Sequence, residues 1–381
     1  MSEAQDPVMW STQRVSKFWR FTVFVFSATA KNGCQASPIN YNWRQILHFG
    51  NIYHNFYSMA ASKQYFTCSR VNSTTFVIHE DDKYEEHPFI YVKIYINPPL
   101  VVLSDTGCAG GSEQTHSSNL RDFIETCPLP SNDGKPLNPR DSDGRPSMKY
   151  TIFSTHCHYD HILGLTHFPT SMTTIVASSY DKDFVLKNLA EHSLCDSVGV
   201  ALPEYKISYW VKDYEWYDFN GHNVRLQCLH TPGHTPDELA FYDPEERHLF
   251  VGDSFYERVA ADKSYEQAIL FPKEGSLLDY MKSVDKLVAF VQEKNSEPGK
   301  PPVKIGCGHV TSAVDGREIL LAVKEFFVGI LGGEVPIVES EHKRGEEYAT
   351  YKEEGEPRFS MTAPKRLVLD ASKVVRSGSI S

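Results

Sequence analysis

Three histidines and an aspartate stand close together in the stretch STHCHYDHILG, residues 154–164. The apolar segment YTIFST runs into this stretch, so we expect the chain to leave a strand there in extended form. Alternate side chains of an extended segment share one side, which places His156 beside His158 and lets Asp160 continue that side. His161 follows where the chain must turn. Imidazoles and a carboxylate in this arrangement predict a metal site.

Three later segments supply the ligands that this stretch lacks. His234 follows a predicted tight turn in HTPGHTPDE, Asp253 ends the apolar run LFVGDS, and His309 follows the apolar run KIGCG. Zinc needs about four nitrogen, oxygen or sulfur ligands, so residues 154–164 alone cannot complete two sites. One buried histidine is usually satisfied by ordinary hydrogen bonds, but five histidines and two aspartates in this order favour metal binding.

The seven residues resemble the signature of the metallo-β-lactamase-fold hydrolases, which is H-x-H-x-D-H, then a histidine, a bridging aspartate and a final histidine. The resemblance covers residues 70–330 and includes LSDTG before the cluster. It implies an α/β fold, the four-layer αβ/βα sandwich, with two zinc ions per chain at one edge. The implied ligands are His156, His158 and His234 for one ion, Asp160, His161 and His309 for the other, and Asp253 as the bridge.

Two positions narrow the class within that resemblance. Diiron oxidoreductases of the fold resemble H-x-E-x-D-H, whereas His158 stands at the second position here, which favours zinc over redox iron. Many true β-lactamases of the fold carry cysteine or serine where this chain has Asp253. A bridging Asp253 is more similar to lactonases, thioesterases and glyoxalase II.

The resemblance also implies a reaction and roles for single residues. A hydroxide held between two zinc ions would attack a carbonyl carbon, and Asp160 could shuttle the proton to the leaving group. Tyr256 stands three residues after Asp253, as in bacterial N-acyl-homoserine lactonases, and could donate a hydrogen bond to the oxyanion. Simple packing of Tyr256 is an equal alternative. Asp105 would orient a ligand histidine or else cap its own turn.

The substrate prediction depends on similarity to fungal members of the fold in the lead-in and in DELAFYDPEERHLFVGDSFYER. Those members include γ-lactamases that detoxify benzoxazolinone-type plant defence compounds. We therefore expect hydrolysis of a small lactam or lactone, with a fungal polyketide or glyoxalase II-like thioesterase as the alternative. A non-catalytic binding protein would have little reason to keep seven ligands.

The remaining elements give a domain plan. We predict an N-terminal extension over residues 1–65 that packs on the core, a catalytic domain over 66–339 and a charged, solvated tail over 340–381. The predicted strands are TTFVIHE, PFIYVKIYI, PPLVVLSDTG, YTIFST, TTIVAS, VRLQCLH, LAFYD and HLFVGD. Residues 128–147 are rich in proline, glycine and aspartate and should form a loop. Ser276 should begin a helix whose apolar stripe, formed by Leu278, Met281, Val284, Val288 and Val291, is buried core.

The composition of the chain limits the classes of partner and the cellular compartment that we expect. The chain has 49 acidic and 38 basic residues, a net charge of −11, which opposes nucleic acid as a partner. No apolar run reaches the roughly 20 residues of a membrane span, and we read residues 21–30 as a buried element rather than a signal peptide. Eight cysteines without framework spacing predict reduced thiols in a cytoplasmic protein, with secretion as the alternative. We expect a small-molecule substrate and leave a homodimer open.

Overall fold

The described residues between Tyr65 and Arg376 form two large β-sheets and a smaller third sheet. The computed structural model describes residues 65–110, 119–219, 221, 224–257 and 267–376. The interpretations of residues 1–64, including the extension and the segment 21–30, lie outside the described residues.

The first sheet has seven strands in sequence order. They are β1 (Phe66–Arg70), β2 (Thr75–Glu80), β3 (Phe89–Tyr95), β4 (Leu100–Ser104), β5 (Lys149–Phe153), β6 (Thr173–Ser178) and β7 (Tyr209–Val211). The first four strands pair antiparallel, and β4 to β7 pair parallel. Polar side chains that follow β4 and β5 therefore meet at one edge of the sheet.

The second sheet has six strands in the order β14-β13-β11-β10-β9-β8. They are β8 (Trp216–Asp218), β9 (Arg225–His230), β10 (Leu239–Asp243), β11 (His248–Phe250), β13 (Lys304–Gly306) and β14 (Val314–Asp315). Strands β11 and β13 pair parallel, while the other neighbours are antiparallel. The ends of β11 and β13 thus lie side by side.

The described residues form eight α-helices. They are α1 (Leu120–Thr126), α2 (Tyr159–Ile162), α3 (Lys182–Leu186), α4 (Leu189–His192), α5 (Cys195–Val198), α6 (Leu277–Asn295), α7 (Gly316–Gly332) and α8 (Lys365–Arg376). Asn119 caps α1 and Ser276 caps α6, each accepting a backbone N–H from the first turn. Residues 128–147 contain only a short 3₁₀ turn at Pro130–Asn132, so the loop prediction is confirmed.

Side-chain alternation in the strands builds four layers. Tyr91 of β3 packs between the sheets with Phe153 and Phe241, while Ile90 and Val92 face the outer layer that contains α1. On the far side, the second sheet packs against α6 and α7 through residues such as Val251 and Val284. The predicted αβ/βα sandwich is therefore confirmed. In the predicted stripe of α6, Leu278, Met281 and Val288 are only partly buried. The fully buried face of this helix is therefore shifted by one residue from the predicted stripe.

The C-terminal segment departs from the predicted solvated tail. Residues 337–364 form a third sheet in the order β12-β17-β16-β15, completed by an earlier strand. Its strands are β12 (Ile269–Leu270), β15 (Ile337–Lys343), β16 (Glu346–Lys352) and β17 (Ser360–Pro364). The tail prediction was wrong for the described residues. The charges of this segment lie on its exposed face, whereas Tyr351, Phe359 and Met361 pack in the core beside α6 and α7.

Among the helices that the structure describes, none combines the length and the apolar character needed to cross a lipid bilayer.

Candidate metal centre and its cavity

The seven predicted ligands converge at the edge where both large sheets end. His156, His158, Asp160 and His161 follow β5, and His234 lies in the loop after β9. Asp253 follows β11, and His309 follows the parallel neighbour β13. All seven side chains are buried, so their charges and ring nitrogens need partners.

The first group contains His156, His158 and His234. Nδ1 of His158 lies 3.0 Å from Nε2 of His156 and 3.1 Å from Nε2 of His234. Three nitrogens that face one point at this spacing are able to hold one metal ion.

The second group contains Asp160, His161, Asp253 and His309. Oδ2 of Asp160 lies 3.3 Å from Nε2 of His161 and 3.1 Å from Nε2 of His309. Oδ1 of Asp253 lies 3.2 Å from Nε2 of His161. The other oxygen of Asp253 lies 3.9 Å from Nε2 of both His156 and His234, so this carboxylate stands between the two groups.

The local backbone differs from the extended segment that we predicted. The extended form ends at His158, which precedes the single helical turn α2. Asp160 and His161 sit on that turn and join the second group, so Asp160 does not continue the side of His156 and His158. The turn forms here because its backbone hydrogen bonds, such as Ile162 N–H to His158 O, can close within the loop.

Each ligand ring except that of His158 has a partner on its other nitrogen. Nδ1 of His161 lies 3.0 Å from the carboxylate of Asp105, and Nδ1 of His156 lies 3.1 Å from Oγ1 of Thr155. The backbone carbonyls of Leu270 and Glu86 accept hydrogen bonds from His234 and His309. Such contacts set the direction and the tautomer of each ring. Of the two alternatives for Asp105, the structure therefore shows contact with a ligand histidine.

The electrostatics of the two groups differ. Burial and the neighbouring histidines hold the pKa of His156 well below its ordinary value. Burial also acts on His309, but Asp253 and Asp160 outweigh it and raise the pKa of His309 to about 9. The same carboxylates hold the pKa of His161 well above its usual range. The second group is thus a buried negative position that a proton or a metal cation can neutralise.

Two observations show that these residues fit metal ions. Nε2 of His161 and Oδ1 of Asp253 are buried and make no hydrogen bond, which is costly unless another partner is present. A Cβ atom on Gly308 would lie 2.3 Å from Oδ1 of Asp253 and 2.9 Å from Cε1 of His161. Glycine at position 308 therefore lets the chain approach the two ligands closely.

A cavity of about 330 Å³ opens over the centre. Its wall on the ligand side includes His158, Asp160, His234, Asp253 and His309, together with Tyr159, Tyr256 and Glu86. The opposite wall comes from the third sheet, with Glu339, Glu341, Lys343, Thr350 and Thr362. A pocket of this size over a polar centre can enclose a small organic molecule.

Tyr256, for which a substrate contact and simple packing were equal alternatives, lines the cavity beside Asp253 and His309. Its ring packs edge-on against His309 with a centroid distance of 5.2 Å. Burial and Asp253 hold its pKa well above the ordinary value, so the phenol keeps its proton. Phe255, which precedes Tyr256, and Phe271 are fully buried in the core.

Sequence reasoning missed several residues of the site. Thr155 supports His156, and the carbonyl of Leu270 orients His234. Glu86 contributes its carbonyl to His309 and its side chain to the cavity, but KYEEHP carries no recognisable signal. The hairpin of β15 and β16 was assigned to solvent because of its charges. The pairing of β12 with β17 joins the sheet of that hairpin to the strand that carries Leu270.

We expect Tyr256→Phe to keep the metal content and to lose about 10-fold or more in kcat, since the phenol would no longer serve the oxyanion. Elemental analysis and steady-state kinetics on the same preparation check both parts. Unchanged kinetics would mean that the ring only packs against His309.

Comparison with known proteins agrees with this geometry. The sequence profile of the Metallo-beta-lactamase superfamily matches residues 124–295. An Aspergillus versicolor protein named "Putative transcription factor avaE" is 32% identical over 327 residues, which cover 83% of this chain and 90% of the relative. The chain therefore contains a metallo-β-lactamase superfamily domain, which the profile places at residues 124–295, and most members of that superfamily are metal-dependent hydrolases.

More distant similarity reaches enzymes and solved structures. A hydroxyacylglutathione hydrolase of Pelagibacter ubique is 24% identical over 184 residues, covering 48% of this chain and 60% of that enzyme. A metallo-β-lactamase of Pontibacter korlensis has a TM-score of 0.45 and 14% identity, covering 68% of this chain and 97% of its own. A Thermus thermophilus family member has a TM-score of 0.45 and 20% identity, covering 70% and 84%.

Proposed function

We propose that this protein is a zinc-dependent hydrolase that opens a small cyclic amide or ester. The observation that carries the proposal is the pair of buried ligand groups with Asp253 between them, beneath a cavity of about 330 Å³. Two zinc ions held there would supply a water activated near neutral pH and a Lewis acid for the carbonyl oxygen.

The side chains around the centre have separate tasks in this proposal. Asp253 holds the two ligand groups together, and Asp160 faces the cavity, where it can pass a proton to the leaving group. Tyr256 keeps its proton and can donate it in a hydrogen bond to the developing oxyanion. Ring opening suits this arrangement because the leaving group stays tethered beside Asp160 until it is protonated.

Charge on the cavity wall favours a neutral substrate. Among the described residues that line the cavity, Lys343 is the one cationic side chain, and its Nζ lies 2.5 Å from Oε1 of Glu341. Glu339 and Glu341 add negative charge. A substrate with several carboxylates or phosphates, such as a glutathione or acyl-carrier thioester, would meet repulsion there.

A thioesterase is the second candidate, because relatives with partial coverage are named hydroxyacylglutathione hydrolase. Their name describes a hydrolase, but the acidic wall described above opposes an anionic thioester. The name of the Aspergillus versicolor relative raises nucleic-acid binding as well. The net charge of −11 opposes that role.

The test compares ring opening with thiol release on one zinc-loaded preparation. Benzoxazolinone is the first cyclic substrate to try, followed by simple aromatic lactones, and a glutathione thioester is the competing substrate. We expect a higher kcat/KM for ring opening, because the tethered leaving group and the acidic wall both favour it. Faster thiol release would move the assignment to the thioesterase.

A further inference from the structure

Glu86 is an acidic side chain of the cavity that does not belong to either ligand group. It lies among the lining residues with Asp160, Tyr256 and His309. Its carboxylate accepts a hydrogen bond from the phenol of Tyr159, and Nε2 of Gln267 lies 3.5 Å from its second oxygen. Both neighbours are donors, and a carboxylate has further lone pairs to offer, so Glu86 presents acceptor capacity to the cavity.

The loop around Glu86 is built to hold one conformation. Asp82 is buried, and its two carboxylate oxygens accept the backbone N–H groups of Tyr84 and His87 at 2.6 and 2.7 Å. The carbonyl of Glu86 is fixed by Nδ1 of His309 at 2.7 Å. A carboxylate held by its backbone on one side and by Tyr159 on the other needs little reorganisation when it binds a donor.

We propose that Glu86 is the acceptor that selects substrates with a ring N–H group, and therefore cyclic amides and carbamates over cyclic esters. This rests on the proposed function, since it assigns a substrate class to the same cavity. An N–H group adjoins the carbonyl carbon in a lactam, whereas a lactone offers only an acceptor oxygen there. The ester oxygen would face the oxygens of Glu86 without a proton between them, which is unfavourable.

The experiment compares the kcat/KM values of two substrates, as a ratio, in three zinc-loaded proteins. The proteins are the full chain, Glu86→Gln and the matched control Glu339→Gln. Both variants replace a cavity-lining carboxylate by an amide, and Glu86→Gln retains the backbone carbonyl that contacts His309. The substrates are benzoxazolinone and its N-methyl analogue. We expect Glu86→Gln to lower the ratio of their kcat/KM values by about 10-fold, because the loss is that of a charged acceptor. Glu339→Gln should leave the ratio unchanged, and zinc content should be equal in all three proteins.

Turnover and binding affinity are measured separately, so the proposed function and the proposed role of Glu86 can fail independently. If the full chain opens neither ring, the proposed function fails, and calorimetric affinities of the same two compounds then decide the role of Glu86. Preference for the N–H compound that disappears in Glu86→Gln supports the assignment. An unchanged ratio in Glu86→Gln, an equal loss in Glu339→Gln, or failure of the N–H compound to bind more tightly overturns it.

Discussion

The variant Asp253→Ala should lose most of its bound metal and at least about 100-fold in kcat/KM. Removing a residue that only orients a metal ligand typically costs about 10–100-fold, and Asp253 has a more direct position. Its carboxylate lies within 4 Å of ring nitrogens from both ligand groups. Without it, Nε2 of His161 and Nε2 of His309 face a single carboxylate, Asp160, and the carboxylate that stood between the two groups is gone.

Elemental analysis and kinetics after identical purification measure the effect. The exposed Asp218 on β8 gives a control, since Asp218→Ala removes the same charge outside the site. Far-UV circular dichroism distinguishes loss of metal from loss of fold. An Asp253→Ala protein with normal metal content and normal turnover would contradict the bridging position.

A chain that ends after Pro336 should fail to fold as a cooperative unit. The missing segment includes Tyr351, Phe359, Met361, Leu367 and Val368, all in the core around α6 and α7. Each large buried side chain contributes about 1.5–3 kcal/mol, and a whole domain is stable by only about 5–15 kcal/mol. Loss of the segment would also expose the hydrophobic partners that it covers.

The same truncation should also disturb the metal centre. Strand β17 pairs with β12, and the backbone N–H of Phe271 donates to Thr362 O at 2.8 Å. The neighbouring carbonyl of Leu270 orients His234. Thermal unfolding followed by circular dichroism measures the loss, with a chain ending at Arg376 as the control. A truncated protein that unfolds cooperatively near the temperature of the full chain would contradict this account.

The ligand set could be read from the sequence because its chemistry is local. Histidines at positions 156, 158 and 161, and glycine-flanked His234 and His309, follow apolar runs that end at one edge of the sandwich. Buried polar residues at strand ends have few structural explanations. The strands and the cap at Ser276 were predictable for the same reason, since they depend on short-range patterns.

The far wall of the cavity could not be predicted, because it depends on long-range pairing. The sequence of β15 shows no alternation of apolar and polar residues that would indicate a buried face, and its charges are typical of a solvated segment. Its place follows from β12 pairing with β17, two short strands about ninety positions apart in the chain. Glu86 was missed for a similar reason, since its role depends on Tyr159, Gln267 and His309 from distant loops.

Metal content tests the central claim most directly. The full chain, purified gently and freed of loosely bound ions, should contain about two equivalents of zinc by elemental analysis. A chelator should remove the metal together with the hydrolytic activity, and added zinc should restore both. Active protein with less than about half an equivalent of any transition metal would contradict the assignment of these seven side chains as a metal centre.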